Sequence, residues 1–276
     1  MRDSVLITPE ALQQALTSSE PPLVFDCRAR LEDASAGVNL WRQGHIPGSQ
    51  HLDMDRDLAS EPGEGGRHPL PSTTDFTATL RRLGVHPERP VIVYDDRGGQ
   101  LAAARAWWML ACWAGHPDVR VLDGGLPAWQ VMGGDMVAGD EEASVPTSDW
   151  APEYDDAARL PVERLLEEGG QLVDARGEAR FRGDDEPIDP VGGHIPGAVC
   201  RPSAANLDAD GRFKPSEQLA RELPRADQVT AYCGSGVSAC HNVLAYAVAG
   251  LPLPKLYVGS WSDWIRDPSR PIATGE

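Results

Sequence analysis

The hydrophobic positions of the chain fall in brief continuous runs rather than in alternation with polar residues. The clearest runs are residues 23–25, 91–94, 120–122, 172–173 and 229–232. Short apolar runs are typical of parallel strands that are covered on both faces of their sheet. Residues 107–114 are apolar nearly all round and predict a helix buried against the sheet, and residues 238–249 predict a second helix.

This pattern occurs twice along the chain. The matching segments are LVFDCR (23–28) with QLVDAR (171–176), GHIPG (44–48) with GHIPG (193–197), and VIVYD (91–95) with VTAYC (229–233). A repeat of this kind predicts two copies of one structural unit. We therefore expect an α/β fold made of two tandem units, each a parallel sheet with helices on both faces.

The repeat also predicts the domain boundaries. A chain of 276 residues is long enough for two hydrophobic cores. We expect a first domain at residues 1–139 and a second at residues 157–276. Residues 140–156 are acidic and polar and contain two prolines, which is typical of a linker.

Composition and charge narrow the range of partners. The chain is 41% hydrophobic and 24% charged, which is ordinary for a globular protein, and its formal net charge is −17. Such a charge argues against binding to nucleic acid or to an anionic membrane surface. An anionic substrate would therefore have to be held by local positive charge. No apolar run approaches the length of a membrane span, and the N-terminus lacks the pattern of a signal peptide.

The five cysteines are widely spaced and odd in number. Without an export signal, this distribution fits a reducing compartment better than a disulfide framework, so we expect a cytoplasmic protein. The spacing of cysteine and histidine also lacks the pattern of a structural zinc site, and neither a metal nor an organic cofactor is predicted.

One cysteine lies where a strand pattern ends and a helix pattern begins. Residues 233–239 read CGSGVSA. The glycines allow backbone N–H groups to converge on one point, and the helix that follows adds the positive end of its dipole. Both effects stabilise an anion, and the Cys233 thiolate is the available one. The rival interpretations are a buried structural cysteine and a cysteine phosphatase, but a phosphatase loop needs an arginine to clamp phosphate, and this loop has none.

The first copy of the repeat has Asp95 where the second has Cys233. We therefore expect the first unit to lack a nucleophile and to form the other wall of a cleft. His45 and His194 belong to the motif that both copies share. They are therefore predicted to have structural roles, fixing a turn.

These residues resemble the two-domain rhodaneses, and within them the 3-mercaptopyruvate sulfurtransferases. The resemblance covers essentially the whole chain and rests on the doubled HIPG, on VLDGG (121–125), on CGSGV (233–237) and on GSWS (259–262). It implies two similar rhodanese-like α/β domains with the active site between them and the catalytic cysteine in the second.

The resemblance also implies roles for individual residues. Members that prefer thiosulfate carry basic residues just after the cysteine, whereas members that prefer mercaptopyruvate carry Gly-Ser-Gly, as this chain does. In the mercaptopyruvate branch the loop serine pairs with a histidine and an aspartate of the first domain. The matching residues are Ser235, His68 and Asp55, which would be catalytic together with Cys233.

The same branch holds the substrate carboxylate with two arginines. The first matches Arg180, but the position of the second is occupied by Ile188 and Asp189, and Arg182 is the candidate to compensate. Ser238 stands where the family usually has threonine. The loop residues predicted to complete the substrate site are Gly234, Gly236, Val237 and Ser238.

The predicted activity is sulfur transfer from 3-mercaptopyruvate through a Cys233 persulfide. The acceptor would be cyanide or a thiol such as thioredoxin or a small thiol. Three alternatives remain: a thiosulfate sulfurtransferase that uses the same cysteine, a non-enzymatic persulfide-sensing module, and a structural interaction protein.

Overall fold

The computed structural model describes residues 2–140 and 145–276, which form two α/β units. The strands of the first unit are β1 Leu6–Ile7, β2 Leu23–Asp26, β3 Gln50–His51, β4 Val91–Tyr94 and β5 Val119–Leu122. The strands of the second unit are β6 Gln171–Asp174, β7 Val199–Cys200, β8 Val229–Tyr232 and β9 Lys255–Leu256.

Helices connect and cover these strands. In the first unit they are α1 Arg2–Val5, α2 Pro9–Leu16, α3 Ala36–Gln43, α4 Thr73–Arg82, α5 Ala102–Trp107 and α6 Gly125–Met132, with a π-helical segment Trp108–Trp113. In the second they are α7 Leu165–Glu168, α8 Glu178–Arg182, α9 Ser216–Glu222, α10 Ala239–Ala249 and α11 Ser260–Trp264. Short 3-10 turns lie at Asp156–Ala158, Val162–Arg164 and Ser203–Asn206.

The described strands form two parallel sheets, as the short apolar runs predict. Their orders are β1-β5-β4-β2-β3 and β7-β6-β8-β9. In the first sheet Phe25 is paired with Val93, and in the second Val173 is paired with Ala231. The strands that the repeat equates, β4 and β8, therefore occupy equivalent places beside β2 and β6. The expectation of two parallel-sheet α/β units is confirmed.

Both faces of the first sheet are buried, which explains why its strands are apolar without alternation. Phe25 and Val93 belong to one cluster of core side chains, while Val24 and Ile92 belong to another on the opposite face. The first of these clusters continues into the second unit, where it includes side chains of α10 such as Val243. The two units therefore share one continuous core.

The predicted buried helix at residues 107–114 is present, but its geometry changes along its length. It begins as α5 and widens into the π-helical segment, where the Ala114 N–H donates to the Met109 carbonyl, five residues back, at 2.8 Å. The π-helical segment begins at Trp108 and ends at Trp113, and both of these side chains are buried.

Residues 141–144 of the predicted linker 140–156 lie outside the described residues. The part that is described is held against the first unit. The backbone N–H of Ser148 donates to the Arg81 carbonyl at 3.0 Å, and the backbone N–H of Asp155 donates to the Trp113 carbonyl at 2.8 Å. The domain boundaries remain a prediction. Over residues 2–140 and 145–276, no helix has both the length and the apolar character needed to cross a membrane.

Candidate active site

Cys233 directly follows β8 and faces the junction of the two units. Its side chain is buried, and its sulfur accepts the N–H of Gly236 at 3.2 Å. Gly236 has a φ of 77°, and a Cβ there would lie 2.2 Å from the Val258 carbonyl oxygen. This position therefore requires glycine both for its conformation and for space. The predicted helix follows as α10, which begins at Ala239.

The segment at residues 259–262 is hydrogen-bonded to the backbone of Cys233. The Cys233 N–H donates to the Ser260 hydroxyl at 3.0 Å, and the Cys233 carbonyl accepts the Trp261 N–H at 2.9 Å. Ser260 has a φ of 55°, a left-handed conformation that is uncommon for a residue other than glycine. The GSWS motif at residues 259–262 thus fixes the loop that carries the cysteine.

The first unit contributes a histidine to this loop. His68 lies between β3 and α4, and its Nδ1 is 2.7 Å from the Ser235 hydroxyl oxygen. Burial, together with the positive charges of Arg105 and Arg67, lowers the pKa of His68 to about 4. The imidazole is therefore neutral at pH 7. Asp55 is near but not hydrogen-bonded, because its Oδ1 is 3.9 Å from His68 Nε2.

Arg180 also lies at the loop, but it is already paired. Its guanidinium contacts Glu186 at 2.8 Å and Asp189 at 3.1 Å. Arg67 of the first unit pairs with the other oxygen of the Asp189 carboxylate. A Cβ built on Gly234 would be 2.9 Å from Arg67 Nη2 and 3.4 Å from Arg180 Nη2, so both cations border the residue next to Cys233.

Arg67 therefore stands where the sequence suggested Arg182. Arg182 instead pairs with Asp184 at 2.8 Å and Glu178 at 3.5 Å, both of which are exposed carboxylates on its own side of the unit. The arginines that border Gly234 are Arg67 and Arg180, whereas Arg182 is engaged in these local pairs, and its compensation for the missing arginine stays a prediction. Arg67 was not predicted, although its position beside His68 was a signal that could have identified it.

The remaining predicted loop residues begin the helix. Val237 is buried, its carbonyl accepts the Cys240 N–H at 3.1 Å, and the Ser238 carbonyl accepts the His241 N–H at 3.1 Å. Their part in substrate binding remains a prediction, as do the catalytic roles of Ser235, His68 and Asp55.

Comparison with known proteins identifies the family. The rhodanese-like domain matches residues 8–132 and 161–267. The chain belongs to the rhodanese family. A Pseudomonas aeruginosa protein provisionally named 3-mercaptopyruvate sulfurtransferase is 46% identical over 291 residues and covers 100% of both chains. A Mycobacterium tuberculosis protein provisionally named thiosulfate sulfurtransferase is 40% identical, over 99% of this chain and 98% of that one.

The solved structures show the same rhodanese fold. The 3-mercaptopyruvate sulfurtransferase from Leishmania major superposes with a TM-score of 0.85 at 28% identity. The match covers 96% of this chain and 76% of that one.

In this rhodanese a buried arginine joins the two units beneath the site. Arg105 of α5 is fully buried and donates to the carbonyls of Gly236 at 3.0 Å, His68 at 3.1 Å and Leu58 at 3.3 Å. Burial lowers the pKa of Arg105, while the Cys240 and Cys233 thiols act to raise it. The sequence signal for this residue was an arginine within an otherwise apolar helix, AAARAW.

In the first copy of the repeat, the loop that corresponds to the cysteine loop surrounds its own aspartate. The buried Asp95 carboxylate accepts the N–H groups of Arg97 and Gly99 at 2.8 Å and of Leu101 at 3.3 Å. The N–H groups that could bind an external anion are therefore satisfied by a side chain of the same loop. His45 and His194 are buried and stack on Trp41 and Phe181, in keeping with structural roles.

The other cysteines of the rhodanese are poorly suited to nucleophilic attack. Burial raises the pKa of Cys112 and of Cys240 to about 12 and that of Cys200 to about 11, and it raises the pKa of Cys27 as well. All five cysteines are free thiols. Among the described residues, no group of three or more metal-ligating side chains is placed to hold an ion.

Proposed function

We propose that this rhodanese transfers sulfur from 3-mercaptopyruvate to a thiol or cyanide acceptor through a persulfide on Cys233. Its membership of the sulfurtransferase class rests on relatives named for mercaptopyruvate and thiosulfate sulfurtransfer. The single observation that carries the choice of mercaptopyruvate is the 2.7 Å contact between His68 and Ser235 beside the cysteine.

The Cys233 thiolate attacks the sulfur of the donor thiol in the first step. An S–S bond forms, the donor C–S bond breaks, and its electron pair goes to the carbon, giving pyruvate enolate. The proton of the donor thiol is transferred to that carbon, so the products are the Cys233 persulfide anion and pyruvate. An acceptor thiol or cyanide then takes the outer sulfur and restores the thiolate. The Gly236 N–H is positioned to stabilise the cysteine sulfur while it carries negative charge.

Neutral His68 and Ser235 would move the proton in this scheme. An imidazole with a pKa near 4 is unprotonated at pH 7, so it can accept the donor-thiol proton through the Ser235 hydroxyl and return it by the same route to the enolate carbon. Asp55, at 3.9 Å, would orient the imidazole rather than exchange a proton with it. Arg180 would hold the donor carboxylate by a charge-assisted hydrogen bond.

Thiosulfate is the alternative donor, and one observation favours it. Two arginines, Arg67 and Arg180, border the residue next to Cys233, and hydrogen bonds from two guanidinium groups can also hold the oxygens of thiosulfate. A thiol acceptor such as thioredoxin or a small thiol, and a cytoplasmic setting, remain part of the proposal. The five free cysteines support the setting.

A steady-state comparison of the two donors tests the proposal. We expect kcat/KM for 3-mercaptopyruvate to exceed that for thiosulfate with a common thiol acceptor. A higher kcat/KM for thiosulfate would establish the alternative donor. Absence of turnover with both donors, in protein that is folded by circular dichroism, would favour a persulfide-sensing module instead.

A further inference from the structure

Asp189 places a carboxylate of the protein between the two arginines of the candidate donor site. One oxygen pairs with Arg67 of the first unit, and the other is 3.1 Å from Arg180 of the second. The Asp189 side chain is 3% exposed, compared with 30% for Arg67 and 20% for Arg180. The carboxylate thus lies behind two cations that remain open to solvent.

The surrounding chain holds this carboxylate in place. Glu186 accepts the backbone N–H of Asp189 at 3.0 Å while it also binds the Arg180 guanidinium. The Arg67 N–H donates to the Ser262 hydroxyl at 3.1 Å, which fixes the Arg67 loop against the second unit. The pKa of Asp189 is raised, because its burial and the nearby Glu186 charge outweigh the opposite effect of the two guanidinium groups.

The charges in this cluster cancel. Arg67 and Arg180 are matched by Asp189 and Glu186, and Glu186 is shared with Arg176, which has its own partner in Asp174. A donor therefore meets two guanidinium groups that offer directed hydrogen bonds but little excess positive charge. Hydrogen bonds from arginine suit a single carboxylate, whereas a second negative charge on the donor would be repelled by Asp189 with no excess positive charge to offset the repulsion.

We infer that Asp189 is a specificity-determining residue that restricts the Arg67–Arg180 pair to singly charged donors. The inference rests on the proposed function of the site. 3-Mercaptopyruvate carries one negative charge when its thiol is protonated, while thiosulfate carries two. Both donors are attracted by the two arginines, but the Asp189 carboxylate repels the dianion more strongly than the monoanion. Discrimination between the two donors then depends on the charge of Asp189.

The measured quantity is the donor ratio, defined as kcat/KM for thiosulfate divided by kcat/KM for 3-mercaptopyruvate. Asp189→Asn removes one negative charge with little change of shape and should raise the ratio about tenfold, because one unit of charge acts more strongly on a dianion. Arg67→Gln removes one positive charge and should lower the ratio by a similar factor. The double variant restores neutrality and should return the ratio to within about threefold of the wild type.

Two further variants separate charge from structure. Asp189→Glu keeps the charge and should leave the ratio unchanged even if both rates fall. Asp184→Asn makes the same change in net charge at an exposed carboxylate that pairs with Arg182, and it should also leave the ratio unchanged.

An unchanged ratio in Asp189→Asn and Arg67→Gln, or an equal loss with both donors, would overturn the inference and leave Asp189 as a structural tie. If Asp189→Asn does not fold, Arg67→Gln and Asp189→Glu decide. The proposed function fails separately, through a wild-type preference for thiosulfate, and the shifts in the ratio can still be measured in that case.

Discussion

His68 illustrates how the surroundings of one residue fix its chemistry. The sequence resemblance pairs it with Ser235, and the structure adds that burial, together with the charges of Arg105 and Arg67, lowers the pKa of its imidazole to about 4. It therefore contributes no positive charge to the site at pH 7. The cations beside the cysteine loop are arginines, and the neutral His68 imidazole lies 2.7 Å from the Ser235 hydroxyl, as the proposed proton transfer requires.

We predict that His68→Ala and Ser235→Ala each slow mercaptopyruvate turnover by about 10²- to 10⁴-fold, the usual contribution of general acid–base catalysis. Thiosulfate turnover should fall less, because sulfite leaves without protonation at carbon. Asp55→Asn should cost less than either, since its carboxylate is 3.9 Å from the imidazole.

The measurement is a double-mutant cycle on kcat with both donors. If the two residues act as one relay, removing either one already abolishes the relay. The double variant should then be little slower than either single variant. Additive losses, or equal losses with both donors, would show that the two side chains do not form a relay.

The residues that sequence analysis missed share one property. Cys233 was predicted from its own loop, because the neighbouring glycines and the helix that follows favour a thiolate, and Ser235 was predicted from the family resemblance. Arg67 and Arg105 act on groups that are more than 120 positions away, at Asp189 and Gly236. The position of Arg67 beside His68 and the apolar helix around Arg105 mark both residues as unusual, but their partners are defined by the packing of the two units, so a single sequence could not assign their roles.

At the scale of elements, the helix α10 that follows the cysteine loop also contacts the first unit. His241 of α10 is fully buried and its Nε2 lies 3.2 Å from the carbonyl of Gly98, in the loop after β4. The Asn206 amide lies 3.3 Å from its Nδ1, and Phe213 stacks on the ring. Burial lowers the pKa of His241 to about 4.

This geometry makes stability depend on pH in a definite direction. The pKa of an unfolded histidine is near 6.5, so the unfolded chain binds a proton before the folded one does. Stability that is present above pH 6.5 is therefore lost as the pH falls toward 4. Between pH 7 and pH 5 one such histidine should lower the free energy of unfolding by on the order of 2 kcal/mol.

We predict that His241→Gln makes the pH dependence of stability shallower, even though the variant is less stable at pH 7. The free energy of unfolding would be measured by urea denaturation at pH 7 and pH 5. His86→Gln is the matched control, because the His86 side chain is 41% exposed and pairs with Glu88 at 3.0 Å. An unchanged slope in His241→Gln, or an equal change in the control, would contradict this account.

At the scale of the whole molecule, the fold was more predictable than the site. The doubled sequence pattern predicted two parallel-sheet units because strand burial depends on local hydrophobicity. The shared core and the Arg105 contacts to Gly236, His68 and Leu58 depend on how the units meet, which the repeat does not encode. The charge of −17 likewise argued for local cations, but only the packed chain shows that Asp189 neutralises them.

The proposed mechanism requires that Cys233 carries the transferred sulfur. The most direct test is mass spectrometry of the protein after treatment with 3-mercaptopyruvate in the absence of acceptor. We predict an adduct of about 32 Da, the mass of one sulfur atom, on the peptide that contains Cys233, and none in Cys233→Ser. An adduct confined to Cys27, Cys112, Cys200 or Cys240, or one that persists in folded Cys233→Ser, would contradict the account.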